Sequence, residues 1–336
     1  MAAIIIESGK ATKKILAETA EGVQILEKAG RRAVLAAVQA NRDPGSDWYA
    51  RAQAKHAREN GIEHRLIRLD PGIGGPELAN GVRAVSANPE VSGVIVLTPF
   101  PAGADRLAIA EAILPDKDAE GAHPLNLGRL MAAPGPFPVP CTAKAAMALI
   151  TLALGNLSGR HAVVIGRSAT VGKPLAMLLL AENATVTIAH TRSDLRAVMR
   201  KADIVVAAAG AAGARWRVYE AAWRRWRENG GERPAIPDLG PLIRADMVRR
   251  GATVVDVGDN QVPAGFDKDG APLPDSGGNP DMRYAGDVDF ARVAEIASCI
   301  TPPRGSVGPL TNAFLLLNTV RSALAQYGLA PAGSMA

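Results

Sequence analysis

Residues 161–192 read HAVVIGRSATVGKPLAMLLLAENATVTIAHTR, and the rest of the chain is organised around them. His161–Ile165 is a short apolar run rich in branched residues, the pattern of a strand buried on both faces. Gly166–Gly172 is a turn. Lys173–Glu182 reads as a helix with Pro174 in its first turn, where no backbone N–H is needed. Thr185–Ala189 is a second strand of the same kind. Strand, glycine turn, helix and strand within about thirty residues make one βαβ unit. Such a turn aims unpaired N–H groups and the positive end of a helix dipole at one point, which suits a phosphate.

The turn is not a Walker loop, because five residues separate Gly166 from Gly172 and Lys173 is followed by Pro174. The G-x-G-x-x-G fingerprint is absent too, since Ser168 stands where the second glycine belongs. A dinucleotide site built from Gly166, Arg167, Ser168, Val171 and Gly172 remains the expectation; the alternative is a βαβ unit whose glycines only serve the turn. A carboxylate at the end of the second strand suits the ribose 2′-OH of NAD, and an arginine suits the 2′-phosphate of NADP. His190, Thr191, Arg192 and Ser193 stand there, with Arg167 in the loop, which favours NADP. Asp194, slightly further along, keeps NAD open.

Working outward, strands and helices alternate in both directions. Helices are expected over Glu7–Lys28, Asp47–Glu59 (capped by Ser46), Pro76–Ala87, Arg106–Leu114, Ala143–Leu154 and Thr311–Tyr327. Strands are expected over Ala33–Val38, Glu63–Leu69, Val94–Thr98, Ile204–Ala209 and Val254–Val257. The alternation predicts α/β layers with parallel sheets. Pro115–Thr142 and Gly258–Tyr284 read as long irregular loops, and 328–336 as a loose tail. Asp256-Val257-Gly258 brings a carboxylate to the strand ends where α/β ligands sit. Trp216, Tyr219 and Trp223 fall at helical spacing among arginines, which predicts a surface helix packed on its own domain or on a partner subunit.

The 336 residues, 48% of them hydrophobic, are enough for two domains. The net charge of +5 comes without basic runs or interleaved aromatics, so acidic small ligands account for it and nucleic acid is not expected. Cys141 and Cys299 supply neither a disulfide framework nor a metal spacing. No stretch reads as a signal sequence or a membrane span, and a cytoplasmic protein is the expectation.

Several segments, in order over nearly the whole chain, resemble the methylenetetrahydrofolate dehydrogenase/cyclohydrolase family. They are Asp43-Pro44-Gly45-Ser46 with Tyr49, Pro99-Phe100-Pro101, Pro115 through Gly121, His123 through Arg129, and Pro140-Cys141-Thr142. In the second half they are Val164 through Ser168, Val171 through Pro174, Asp256-Val257-Gly258, Gly286-Asp287-Val288 and Val307 through Thr311. The resemblance implies two α/β domains facing across a cleft, the second Rossmann-like, and a homodimer. Residues 1–142 with the last helix, 311–336, would form the folate and catalytic domain. Residues 143–310 would bind NAD(P), with an insertion at about 211–247. The implied reaction is oxidation of 5,10-methylenetetrahydrofolate, followed in many members by hydrolysis of the methenyl product. Tyr49, Glu120 and Pro309 are the implied substrate contacts.

The chain departs from the family at the catalytic positions. The family's Tyr and Lys sit four apart on one helix face; Tyr49 is present, but position 53 is Gln. The family's Gln before the Pro-x-Pro strand end is Leu97, and its folate-gripping Asp is Glu120. Lys55 points elsewhere on the helix, and Lys144 is a candidate replacement amine. Hydrolysis of a methenyl cation needs a group that manages protons, and neither Gln53 nor Leu97 has a usable pKa. Hydride transfer needs mainly alignment and dryness. The expectation is therefore an NADP-dependent dehydrogenase with weak or absent cyclohydrolase activity. The alternatives are a bifunctional enzyme, or a non-catalytic or repurposed relative binding another pterin carrier.

Overall fold

The computed structural model describes residues 3–329. In chain order the elements are β1 (Ile4–Ile5), α1 (Gly9–Lys28), β2 (Val34–Gln39), α2 (Pro44–Glu59), β3 (Glu63–Arg68), α3 (Gly75–Ala87), β4 (Gly93–Leu97), α4 (Arg106–Glu111), α5 (Pro124–Ala132) and α6 (Cys141–Leu154). They continue with β5 (His161–Ile165), α7 (Gly172–Ala181), β6 (Thr185–Ala189), α8 (Leu195–Met199), β7 (Ile204–Ala207), α9 (Ala211–Asn229), β8 (Thr253–Asp256), β9 (Asn260–Pro263), β10 (Met282–Ala285), α10 (Phe290–Val293), β11 (Cys299–Ile300) and α11 (Val307–Gln326).

The chain forms two compact units. One holds Ser8–Ala148, Ala169–Ala181 and the chain from Val307; the other holds the chain up to Glu7, Leu149–Ser168 and Glu182–Ser306. The division differs from an expected break at 142/143 in three places. The N-terminal β1 pairs in parallel with β11, Ile4 opposite Cys299, so the first residues join the second unit. The break near 148 falls inside α6, and α7 packs on α5 and groups with the first unit.

The first unit is built on a parallel three-stranded sheet, order β3-β2-β4. Every residue of β2 and β4 is buried, which is why these strands read as continuous apolar runs without alternation. Val34, Ala36, Val38, Val94 and Val96 pack with Leu78 and Val82 of α3 and Ile109 of α4. Helix α2 starts earlier than Ser46: Asp43 is the cap, its carboxylate accepting the Ser46 N–H at 2.7 Å, and Pro44 opens the first turn. Gln39, at the buried end of β2, ties this start down by donating to Ser46 Oγ at 3.2 Å and Asp47 at 3.0 Å. The stretch 115–142 is not an irregular loop, since it folds as a short 3-10 turn (Pro115–Lys117), α5 and the start of α6.

The second unit carries a six-stranded parallel sheet, order β1-β11-β8-β7-β5-β6. Strand β5 lies between β6 and β7, so chain order reverses beside it, and the carboxyl ends of β5 and β7 flank a topological switch point. Stretch 258–284 is also more regular than expected, since β9 and β10 form an antiparallel hairpin. The ribbon beyond it is turned by Asp267 and Asp275, each accepting two backbone N–H bonds from residues two and four ahead. Helix α9 packs Trp216 and Tyr219 against Val262 and Phe266, and Tyr219 donates to the Gly270 carbonyl at 2.8 Å. The tryptophan helix therefore packs on its own unit, through the hairpin that follows. The expected tail lies largely outside the described residues.

Candidate functional site

Helix α2 places Tyr49 and Gln53 four residues apart, on one face. The Tyr49 hydroxyl donates to Asn312 Oδ1 of α11 at 3.3 Å. Burial raises its phenol pKa above the ordinary range, Glu120 and Cys141 push the same way, and Gln53 pulls it back. The phenol therefore stays protonated at neutral pH. Gln53 is 2% exposed. Its Oε1 lies 3.0 Å from His64 Nε2 on β3, while its Nε2 has no hydrogen-bond partner among the described residues. Burial lowers the His64 pKa from 6.5, so the imidazole is neutral at pH 7. Leu97 ends β4 at 4% exposure, opposite Gln39 of β2.

Glu120 belongs to the same cluster, as its charge raises the pKa of both Tyr49 and Cys141. Burial and the neighbouring Asp118 carboxylate raise its own pKa from 4.5 to about 7, against the opposing pull of Arg106. Its carboxylate accepts no hydrogen bond among the described residues. Asp118, two residues earlier, is its opposite. It accepts N–H bonds from Gly121 (2.9 Å), Ala122 (3.1 Å) and His123 (2.7 Å), and one from Asn126 Nδ2 at 3.1 Å. These bonds spend Asp118 on shaping the loop that presents Glu120. Gly121 follows at φ +81°, where a Cβ would lie 2.2 Å from the Val139 carbonyl carbon. That close approach lets the Cys141 N–H reach the Glu120 carbonyl at 3.0 Å.

Cys141 is buried and free, and its thiol pKa is driven up by burial first and Glu120 second. Lys144, the candidate replacement amine, has its Nζ over the Phe314 ring, 4.9 Å from the centroid, and burial lowers its pKa. Lys55 is 73% exposed and sits 3.9 Å from Glu59, a surface lysine. Pro309 is exposed in the first turn of α11, three residues before Asn312. Sequence reasoning missed His64 and Asn312. Both reach the cluster from other elements, and no local pattern in β3 or α11 marks them.

In the second unit Gly166 follows β5 with φ +131°, and a Cβ there would lie 2.2 Å from the Ala208 carbonyl oxygen beyond β7. Only glycine allows the two chains to close up at the switch point. Arg167 and Ser168 are exposed, Val171 is half-buried and Gly172 is buried at the start of α7. His190–Ser193 form a closed turn. The His190 N–H donates to Ser193 Oγ at 3.0 Å, the Ser193 N–H to the His190 carbonyl at 2.9 Å, and the Arg192 N–H to His190 Nδ1 at 3.2 Å. The turn leaves Thr191 and Arg192 exposed. Neither Arg167 nor Arg192 is in an ion pair among the described residues. Asp194, the residue that keeps NAD open, caps α8 by accepting the Ala197 N–H at 3.0 Å.

Asp256 and Asp287 are structural. Asp287, 1% exposed, accepts the N–H groups of Ala209, Gly210 and Ala211 at 2.8, 2.8 and 2.9 Å and satisfies the start of α9. Asp256 accepts from Gly258, Asp287 and Val288, and burial pushes its carboxyl up to about 7. Among the described residues no His, Cys, Asp or Glu group fits a metal ion, and no helix is long and apolar enough to cross a membrane.

A parallel sheet with a glycine closure at its switch point, joined to a separate α/β unit with a buried polar cluster, is the build of a dinucleotide-dependent enzyme. Comparison with known proteins narrows the class. The tetrahydrofolate dehydrogenase/cyclohydrolase catalytic-domain model matches residues 6–120, and the NAD(P)-binding-domain model of the same family matches 140–215 and 239–327. The interval skipped by the second match covers most of α9. A bifunctional protein FolD of Erythrobacter litoralis is 39% identical over 302 residues, 90% of this chain and 88% of that protein. The crystal structure of the bifunctional FolD enzyme from Campylobacter jejuni superposes with a TM-score of 0.78 at 32% identity, covering 96% of this chain and 99% of the other. A Trypanosoma brucei FolD solved with NADP and an inhibitor gives a TM-score of 0.79 at 29% identity, with 97% and 99% coverage. The chain belongs to the tetrahydrofolate dehydrogenase/cyclohydrolase family.

Proposed function

We propose that the protein oxidises 5,10-methylenetetrahydrofolate to 5,10-methenyltetrahydrofolate with NADP as the hydride acceptor, and hydrolyses the methenyl product weakly or not at all. The stretch matched by the catalytic-domain model, 6–120, takes the folate; the stretches matched by the NAD(P)-binding model, 140–215 and 239–327, take the dinucleotide. The observation that carries the reading is Gln53, a buried neutral carboxamide beside Tyr49 on α2. Hydrolysis needs a group that takes up and releases a proton near neutral pH, and a carboxamide does neither. Dehydrogenation needs a held, dry substrate. Tyr49 offers a protonated phenol to position the folate, Glu120 a carboxyl without another hydrogen-bond partner for the pterin, and Leu97 an apolar wall that excludes water. Pro309 lines the start of α11 beside Asn312.

The dinucleotide fits the loop and turn that follow β5 and β6. The closure at Gly166 allows backbone approach to a diphosphate, with Ser168, Val171 and Gly172 completing the loop. Arg167 and Arg192, both exposed and neither in an ion pair among the described residues, suit a 2′-phosphate, with His190, Thr191 and Ser193 forming the turn that presents Arg192. Asp194 is occupied as a helix cap, which argues against NAD. When bound, the nucleotide supplies the hydride acceptor.

One observation favours a bifunctional enzyme: the Glu120 carboxyl, raised to about 7, titrates where a proton-managing group should. The relatives named bifunctional point the same way. Two absorbance assays separate the readings. Methylenetetrahydrofolate with NADP should yield methenyl product faster than with NAD. Methenyltetrahydrofolate alone should decay little faster with enzyme than without. Rapid enzyme-dependent decay establishes the bifunctional reading; no product in the first assay leaves a protein that binds another pterin. We also read the protein as a cytoplasmic homodimer, to be checked by sedimentation and cell fractionation.

A further inference from the structure

Resting on the dehydrogenase reading, we propose that His64 is a positioning residue: its Nε2–H holds the Gln53 carboxamide so that the NH2 group is presented beside Tyr49 as a donor to an oxygen acceptor on the substrate. The contact is Gln53 Oε1 to His64 Nε2 at 3.0 Å, between α2 and β3. A primary amide turned by half a rotation exchanges donor and acceptor with almost no change in shape. Something must therefore choose which end faces the site.

Two observations make the choice. The Tyr49 hydroxyl spends its one proton on Asn312 Oδ1, so only lone pairs remain to meet Gln53. A carbonyl oxygen turned towards them would set acceptor against acceptor. The NH2 end is the compatible one, and it is Oε1, not Nε2, that lies 3.0 Å from His64 Nε2. With NH2 towards Tyr49, Oε1 faces His64, and the ring must carry its proton on Nε2. A neutral imidazole with Nε2–H supplies that donor. Gln53 Nε2 then remains a buried donor without a partner of its own. A buried donor left unmatched is unfavourable, so an incoming oxygen acceptor, such as a ring carbonyl, gains from meeting it.

The test uses the full-length protein and four variants, His64→Leu, His64→Gln, Gln53→Met and the double His64→Leu/Gln53→Met. His64→Leu should lower dehydrogenase kcat/KM about tenfold, the scale of one lost hydrogen bond to substrate, while the melting temperature moves by only about 2 °C. His64→Gln, whose amide nitrogen can take the place of Nε2, should recover to within about threefold of the parent. On a Gln53→Met background, His64→Leu should change kcat/KM less than about twofold, because there is no carboxamide left to hold. Equal loss in His64→Leu and His64→Gln, no loss in either, or full additivity with Gln53→Met overturns the proposal. The His64 tautomer, read by nitrogen-15 correlation spectroscopy of the unliganded parent, keeps the test independent of variant folding. Nε2–H supports the arrangement and Nδ1–H overturns it. A parent that turns over no methylenetetrahydrofolate refutes the functional reading instead, and the tautomer still decides the Gln53 geometry.

Discussion

Glu120→Gln should make the protein clearly more stable at pH 8 and only slightly more stable at pH 5. The Glu120 pKa rises from 4.5 to about 7 because the carboxylate would be buried and would face Asp118, with only Arg106 to relieve it. Each tenfold change in proton affinity is worth about 1.4 kcal/mol. The displacement from 4.5 to about 7 therefore corresponds to about 3 kcal/mol. The sign follows from proton counting. Between pH 4.5 and 7 the unfolded chain ionises this group while the folded chain keeps it protonated. The folded state binds more protons there, so stability falls as pH rises through that window and stays low above it. A glutamine has nothing to ionise and escapes the loss. Asp256, also raised to about 7, contributes a slope of its own in both proteins, and it cancels in their difference. Urea titrations at pH 5 and pH 8, read from amide protection in β2, should show the variant gaining about 3 kcal/mol at the higher pH and about 1 kcal/mol or less at the lower. An equal gain at both pH values, or a loss at pH 8, refutes the assignment of Glu120 as the strained carboxyl. Any inflection near pH 7 in kcat/KM that belongs to Glu120 should vanish in the same variant.

Gly166→Ala places a Cβ 2.2 Å from the Ala208 carbonyl oxygen at φ +131°. It should destabilise the second unit by about 3 kcal/mol and abolish NADPH binding in a fluorescence titration, while thermal scans show the unit melting earlier. Arg192→Ser removes an exposed guanidinium from the turn after β6. It should raise KM for NADP about tenfold and leave KM for NAD unchanged, as steady-state assays with both nucleotides would show. Equal effects on the two nucleotides would place the 2′-phosphate elsewhere.

The alternating architecture was legible because buried parallel strands are apolar along their whole length, as VLAAVQ in β2 and HAVVI in β5 are. The central βαβ unit matches its expected strands residue for residue. Expectation failed where side chains, rather than apolar periodicity, organise the backbone. Asp43 caps α2 three residues ahead of Ser46's N–H, Asp118 folds 115–142 around its own carboxylate, and Asp267 and Asp275 turn the ribbon beyond β9. A polar, glycine-rich stretch reads as a loop whether or not one buried carboxylate gathers its N–H groups. Tyr49, Gln53 and Glu120 were visible through the family motifs, whereas His64 was not. Its contact with Gln53 depends on how α2 lies along β3, which no spacing within either element records.

The acidic residues show why the site is harder to read than the fold. In sequence, Asp118, Glu120, Asp256 and Asp287 are alike, each within three residues of a glycine at the end of a strand or loop. Hydrogen bonding separates them. Asp118 and Asp287 each accept three backbone N–H bonds and one asparagine N–H, and Asp256 accepts three backbone bonds. A carboxylate so occupied has little acceptor capacity left for a ligand, and its energy is spent on loop shape. Glu120 is held by backbone geometry, with Gly121 at φ +81° and the Cys141 N–H on its carbonyl, and among the described residues its carboxyl accepts no hydrogen bond. Asp118 serves it twice: it builds the loop that presents Glu120, and its charge helps to keep Glu120 protonated. Moving either carboxylate by two positions would keep the composition and lose both effects.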